Sequence, residues 1–325
     1  MIGLILLLQT LTIAVSGPAT SAEYLPLRVA ESEGYFTREG LSVTLRTTRA
    51  EVGAAEALAQ AQVDLAATSL EAMLRFGTRA ASQAPRLVFA LTAAPPVALL
   101  LSPALDGKVR AIDQLAGLRV GVAAPGDPAH TWLMALFARS RLSIAQVEMV
   151  SLGDRGLVAA LESGDVHAGI VEEPAAGRLT KEGGAVLLAD LRTPEAVERA
   201  LGVPTLNAGV FMRLDRRPPD RDLTALVRAL RDAERLIAAS DAETLAARLP
   251  RPVVGVPTEF ARRLDAARTL YLPDGAVTVA QVRESIAIVR AHMPFAPALR
   301  IPRPEDLVYA PALRRPGPAE RRSRK

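Results

Sequence analysis

The chain has no cysteine among its 325 residues. Disulfides, thiolate metal sites, iron–sulfur clusters and cysteine nucleophiles are therefore excluded, and no lipid on an N-terminal cysteine is expected. Histidine is nearly as scarce: His130, His167 and His292 lie far apart, in no helical metal-ligand spacing. No metal, cofactor or catalytic set is expected. Aromatics make up 4% of the chain against 50% hydrophobic residues overall. The core must be aliphatic, which suits strands covered by helices on both faces. No Gly-x-Ser-x-Gly, His-Glu-x-x-His or phosphate-binding Walker pattern occurs. No stretch approaches the ~18 unbroken apolar residues of a membrane-crossing helix.

The net charge is +4, which at first suggests nucleic acid. Its distribution argues otherwise. Residues 314–325 hold six basic side chains and one acid, Glu320, a net of +5 that leaves −1 for the other 313 residues. With Pro316, Gly317 and Pro318 inside it, this segment reads as a solvated, disordered basic tail. No nucleic-acid partner is expected.

At the other end, residues 1–8 are almost wholly apolar and residues 14–22 are rich in small side chains, as in a secretory signal. No Lys or Arg precedes the apolar run, so such a signal is atypical or incomplete. Residues 11–16 followed by Gly17-Pro18 read instead as a first buried strand ending in a turn. Residues 1–8 are then a signal remnant.

Further along, strands are expected at 41–45, 65–67, 87–92, 97–102, 119–122, 147–152, 167–171, 186–188 and 208–212. Helices are expected at 23–34, 51–62, 112–116, 155–163, 223–240, 241–249, 258–270 and 279–292. Thr68-Ser69-Leu70-Glu71 fits a capping box that opens a helix to Phe76. Asp127 followed by Pro128 fits an N-cap and first helical position, with that helix running to Arg141. Glu173-Pro174 opens another helix. Alternating strands and helices imply parallel sheets with right-handed crossovers. Ligands in such sheets sit beyond the carboxyl ends of the strands.

Four segments carry a resemblance: 25–41, ending Glu33-Gly34-Tyr35-Phe36-Thr37-Arg38-Glu39-Gly40-Leu41; 56–66; 115–130, with Leu118-Arg119-Val120-Gly121-Val122; and 157–174, with Gly164-Asp165-Val166-His167-Ala168-Gly169-Ile170-Val171-Glu172-Glu173-Pro174. Their order and spacing resemble the nitrate/sulfonate/taurine-type substrate-binding proteins of ABC transporters. The resemblance spans residues 11–313. It implies an α/β fold of the type II periplasmic-binding-protein kind, a two-lobed clamp in which each lobe is a mixed, mainly parallel sheet flanked by helices. The expected division is 9–98 plus 212–313 for one lobe and 99–211 for the other, with crossings near 96–102 and 208–213. It further implies a periplasmic monomer that captures a small organic solute and delivers it to an ABC permease in the inner membrane, with no chemistry of its own. The alternatives are a ligand-sensing domain and a pyrimidine-synthesising enzyme of the same fold. The enzyme depends on a cysteine-rich motif that this chain lacks.

Helix N-termini present free N–H groups and a positive dipole end, so several converging on a cleft make a polar site. The expected ligand contacts are Ser16, Thr20 and Ser21 after the first strand, and Arg49 after the second. Thr68 and Ser69, Gly126 and Asp127, and Glu172 and Glu173 complete the set. Each has a plainer reading: Thr68 and Asp127 as caps, Arg49 as surface, the glutamates as solvated. His130 and Trp132 are expected to be structural. Carboxylates repel a simple anion in a poorly solvated cleft, so Asp127, Glu172 and Glu173 argue for a neutral or partly cationic solute.

Overall fold

A computed structural model describes residues 10–49, 51–76, 80–293, 295 and 299–309. The expected signal remnant at 1–8 and the basic tail at 314–325 lie outside these residues. Among the described residues, no helix is long and apolar enough to cross a membrane.

Among the described residues, ten strands form two five-stranded sheets. They are β1 (Thr10–Val15), β2 (Ser42–Thr47), β3 (Leu65–Ser69), β4 (Pro85–Thr92), β5 (Val97–Leu101), β6 (Arg119–Val122), β7 (Glu148–Ser151), β8 (Ala168–Glu172), β9 (Val186–Asp190) and β10 (Ala208–Arg213). The first sheet runs β2-β1-β3-β10-β4 and the second β7-β6-β8-β5-β9. β1 pairs in parallel with β2 and β3, whereas β10 is antiparallel to both β3 and β4. In the second sheet β6 is parallel to β7 and β8, and β5 is antiparallel to β8 and β9. Each sheet therefore has one reversed strand. That strand is the one the chain enters after leaving the other sheet, and both sheets are mixed and mainly parallel, as expected. The links between sheets are residues 93–96 and 191–207; the segment 208–213, expected as a crossing, lies wholly inside the first sheet.

Burial follows strand position. β3, β5 and β10 are buried at every residue, whereas the edge strands β2 and β7 are largely open. Even a wholly apolar strand keeps its period of two. Val97, Leu99 and Leu101 of β5 join Trp132 and Leu136 on one face, while Ala98 and Leu100 join Leu157 and Leu161 on the other. Trp132 is core, 4% exposed.

The helices of the first half are α1 (Leu25–Ser32), α2 (Tyr35–Arg38), α3 (Glu51–Ala59) and α4 (Leu70–Arg75). The second sheet is covered by α5 (Pro128–Arg139), α6 (Gly153–Ser163), α7 (Ala175–Lys181) and α8 (Pro194–Leu201). The C-terminal run is α9 (Asp220–Ala239), α10 (Ala242–Arg248), α11 (Arg251–Val254), α12 (Pro257–Arg268), α13 (Val279–His292) and α14 (Pro304–Leu307). Most of this run returns to the first sheet: Leu226 and Leu230 of α9 pack with Ile13 and Leu27, and Val282 and Val289 of α13 with Leu58 and Leu74. Ile288 of α13 leans onto the core of the second sheet.

The Thr68–Glu71 capping box does not form as expected. β3 continues through Ser69, so Ser69 is the N-cap of α4 and accepts from Ala72 N. Glu71 turns instead to Arg75 at 2.6 Å. Asp127 caps α5 as expected, accepting from His130 N at 2.7 Å. Residues 112–116 form a 3-10 turn over Ile112–Leu115.

Candidate functional site: carboxylates between the lobes

The carboxyl ends of β1, β3, β6 and β8 carry the turns singled out above. At the first-sheet end the organising side chain is Glu51, the first residue of α3. Its Oε2 accepts from Tyr24 Oη at 2.7 Å, Ser69 N at 2.8 Å and Thr68 Oγ1 at 3.1 Å. Its Oε1 lies 2.9 Å from the same Tyr24 Oη, and the Ser16 hydroxyl also acts on the carboxylate. The Glu51 carbonyl takes Thr68 Oγ1 at 2.9 Å and Ser16 Oγ at 3.3 Å. Ser16, Thr68 and Ser69 are thus brought together, and their donors are spent on Glu51.

Beside it stands Glu23. Its Oε1 accepts from Asn207 Nδ2 at 2.7 Å. Asn207 is itself fixed at the link into β10: its N–H donates to Thr92 O at 2.9 Å and its carbonyl accepts from Leu70 N at 2.7 Å. Glu23 therefore hangs on the backbone that joins the two lobes.

The second sheet contributes Glu172, at the end of β8, and Asp127 and Asp154 at the starts of α5 and α6. A recess of about 240 Å³ opens here, with Ala123, Asp154, Ile170, Glu172 and Pro174 on its walls. Glu172, the last residue of β8, is exposed at the carboxyl end of its strand, with many protein atoms within a few shells of its carboxylate. Burial, then the charges of Asp154, Asp127 and Glu51, push its pKa up to about 7. Burial, then Glu51 and Glu172, raise Glu23 well above the ordinary carboxylate range. Glu51 is raised by burial against the pull of its donors, and Asp127 by burial against the His130 and Ala124 N–H groups. Glu172 on the second sheet and Glu51 and Glu23 on the first act on one another through their charges. Among the described residues, no cation offsets Glu23 or Glu172: the charges acting on them belong to other carboxylates.

Other expected residues lie elsewhere or serve the fold. Glu173 turns away from Glu172; its Oε1 meets Arg192 at 2.7 Å and its Oε2 accepts from Gly177 N at 3.1 Å. Arg192 also holds Asp190 at 2.8 Å, so Glu173 belongs to a structural ion-pair network. Gly126, at φ +79°, donates its N–H to His130 Nδ1 at 2.8 Å, giving His130 the structural role expected of it. Ser21 N closes a turn onto Pro18 O at 2.9 Å. Thr20 lies beside the α11–α12 turn, where a Cβ on Gly255 would stand 3.2 Å from its Cγ2. Arg49 is exposed in the turn between β2 and α3, two residues before Glu51. Sequence reasoning missed Glu23, Tyr24, Glu51 and Asn207. Among the described residues, no group of His, Asp and Glu could hold a metal ion.

The fold has many solved counterparts. A protein of Bordetella bronchiseptica RB50 superposes with a TM-score of 0.68 at 23% identity, covering 97% of this chain and 96% of that one. The alkanesulfonate-binding protein SsuA of Xanthomonas axonopodis pv. citri, bound to MOPS, gives 0.64 at 20% identity over 92% and 98%. The periplasmic aliphatic sulphonate binding protein SsuA of Escherichia coli gives 0.64 at 17% over 79% and 83%. By sequence, no curated protein matches the chain. The two mixed sheets and their order are those of the type II periplasmic binding proteins. The NMT1/THI5-like family model matches residues 21–204, more than half of the chain, and the chain belongs to that family.

Proposed function

We propose that this protein is the solute-binding component of an ABC importer, a periplasmic monomer that captures a small organic solute between its lobes and hands it to an inner-membrane permease. The observation that carries the reading is the convergence of turns from both sheets on one polar space, with Glu23 and Glu51 on one side and Glu172 on the other. A solute touching both sides stabilises the closed arrangement and shifts the population toward it. The lobes in this reading are the two sheets with their helices, moving about the links at 93–96 and 191–207. Ser16, Thr68 and Ser69 act by holding Glu51, and Asp127 by fixing the turn before α5. Thr20 and Ser21 sit on the loop that leads into Glu23. The solute leaves unchanged: the chain has no cysteine nucleophile, and the Nδ1 atoms of His130 and His167 are engaged by backbone N–H groups.

A thermal-melt screen tests this. Sulfonates, nitrate, taurine, pyrimidines, polyamines, amidines and aromatic acids form the panel. A true solute at ~100 times its Kd adds about 2.7 kcal/mol, which raises Tm by several degrees in a chain of this size. A shift with one class, followed by stimulation of a permease in proteoliposomes, supports the reading. Binding of a solute without engagement of any permease encoded alongside it points to a sensing domain instead.

A further inference from the structure

Glu51 and Glu23 are fixed acceptors whose capacity the protein does not exhaust. Glu51 has at most four donors around its two oxygens: Ser69 N and the single protons of Tyr24, Thr68 and Ser16. The Tyr24 and Thr68 protons are each shared with a second acceptor, so among the described residues the carboxylate keeps acceptor capacity on the Oε1 side. Glu23 Oε1 takes Asn207, and nothing among the described residues donates to its Oε2. Glu172 faces them from the other sheet, with no donor to its carboxylate among the described residues. Acceptors held this firmly and left half-used read N–H groups.

Resting on the solute-binding reading above, we propose that the solute is an organic cation of the amidinium or guanidinium type. Its N–H groups bond Glu51 Oε1 and Glu23 Oε2 on one lobe, and its positive charge draws Glu172 in from the other. A sulfonate or nitrate offers only acceptors and negative charge, so it meets unshared lone pairs and repulsion on every side. A neutral amide satisfies lone pairs but leaves three carboxylates crowding one another as the lobes approach. A planar cation does both jobs: it supplies paired donors and cancels the repulsion that opposes closure. Glu172 then acts as the closing contact, because it reaches the site only from the second sheet.

The same geometry fixes the sign of a proton linkage. A bound cation favours the ionised carboxylates, so binding releases protons, and affinity rises as pH increases through about 7, where Glu172 titrates in the free protein. An anion would have to bind with proton uptake and weaken over the same range.

Isothermal titration with benzamidine and its neutral isostere benzamide, alongside agmatine and ethanesulfonate, tests the proposal. Benzamidine or agmatine is expected to bind at least 50-fold more tightly than benzamide or ethanesulfonate. Titrations at pH 7 in two buffers of different ionisation enthalpy should show net proton release. Glu51→Gln should cost at least 20-fold in affinity for the cation. Should that variant fold poorly, Glu172→Gln should reduce the proton release, leaving the part due to Glu23, and should melt no lower than the parent at pH 7. Equal or tighter binding of benzamide or ethanesulfonate, or proton uptake, overturns the cation assignment. It leaves the solute-binding reading standing, since a solute would have been found. No heat with either cation, set against a positive melt shift from another class, overturns it as well.

Discussion

Strand for strand, β2-β1-β3-β10-β4 of the first sheet corresponds to β7-β6-β8-β5-β9 of the second. The end of β3, with Thr68 and Ser69, is therefore the counterpart of the end of β8, with Glu172 followed by Glu173. The first is a platform of donors: both residues bond Glu51, which arrives from α3. The second carries acids of its own, one paired to Arg192 and one left to the cleft. In the proposed solute-binding reading, the first lobe presents carboxylates already held by hydrogen bonds, and the second presents one that is free to adjust. A clamp gains from this division, because locked acceptors cost little entropy on binding and the free one can follow the closing motion.

The comparison is sharpest in the sheets themselves, where glycines occupy close approaches. A Cβ on Gly209 of β10 would lie 2.4 Å from Leu87 Cδ1 and 2.8 Å from the carbonyl oxygen of Phe89. On Gly121 of β6 it would meet Leu157 Cδ1 at 2.4 Å, with the next atom, Val166 Cγ2, at 3.5 Å. A backbone carbonyl in a central strand cannot step aside, whereas a leucine tip can rotate. Gly209→Ala should cost about 3 kcal/mol and Gly121→Ala about 1 kcal/mol, read as thermal midpoints of the two variants. Equal losses would mean that the first sheet yields as easily as the second.

Locked and free acids should also separate in binding. Tyr24→Phe removes the hydroxyl that reaches both oxygens of Glu51. A lost hydrogen bond to a charged group is worth roughly 1.5 kcal/mol, and because this one also holds the Glu51 pKa down, solute affinity should fall by up to about tenfold, most at low pH. Glu172→Gln should instead flatten the pH dependence between about pH 5.5 and 8, with its affinity loss appearing mainly above pH 7. If the two variants exchange these behaviours, the assignment of locked and free partners is reversed.

Much of this plan is legible in the residues, and the failures have a common cause. The strands and most helices follow from apolar runs and turn residues, and the Asp127-Pro128 start of α5 from cap chemistry alone. The helix at Pro194–Leu201 carried the same kind of signal, with Thr193 as N-cap accepting from Ala196 N, and went unread. Glu51 looks like an ordinary acid in the first turn of an alanine-rich helix. Only the fold brings Tyr24, Thr68 and Ser69 to it. Glu23 and Asn207 lie 184 residues apart in sequence. No periodicity encodes such a pair, so local pattern gave the turns and missed the side chains that meet across them. Glu173 shows the same limit from the other side: its position after β8 is legible, but its pairing with Arg192, from the turn after β9, is not.

A buried acid away from the cleft offers a stability counterpart to Glu172. Burial, then the charge of Asp274, push Glu234 of α9 up to about 9, against the pull of Arg231, an Asp274 N–H and Arg235. Its Oε1 is buried with no hydrogen-bond partner among the described residues. A carboxyl raised in the folded state destabilises the fold once pH exceeds the ordinary value of 4.5, and the cost grows until about pH 9. Glu234→Gln should therefore melt with the parent at pH 4. At pH 8 it should be more stable by on the order of 1 kcal/mol, allowing for partial exposure. A constant difference across that range would mean that Glu234 is ionised throughout.

The smallest effect is expected where the lobes touch at their rims. Arg262 of α12 meets Glu182, just past α7, at 2.8 Å, with the two side chains 55% and 53% exposed. This ion pair joins a helix packed on the first sheet to one packed on the second. Its exposure limits it to ~0–1 kcal/mol, less at physiological salt. As a contact present in this arrangement of the lobes, it biases the clamp by at most that amount, and Arg262→Ala should change solute affinity by no more than about fivefold. Titration at low and at 0.5 M salt separates the cases. A modest change that vanishes at high salt fits a screened rim contact. A change well beyond fivefold that persists in salt would mean that α12 and α7 meet through more than this pair, and that closure is governed at the rim as well as by the carboxylates within.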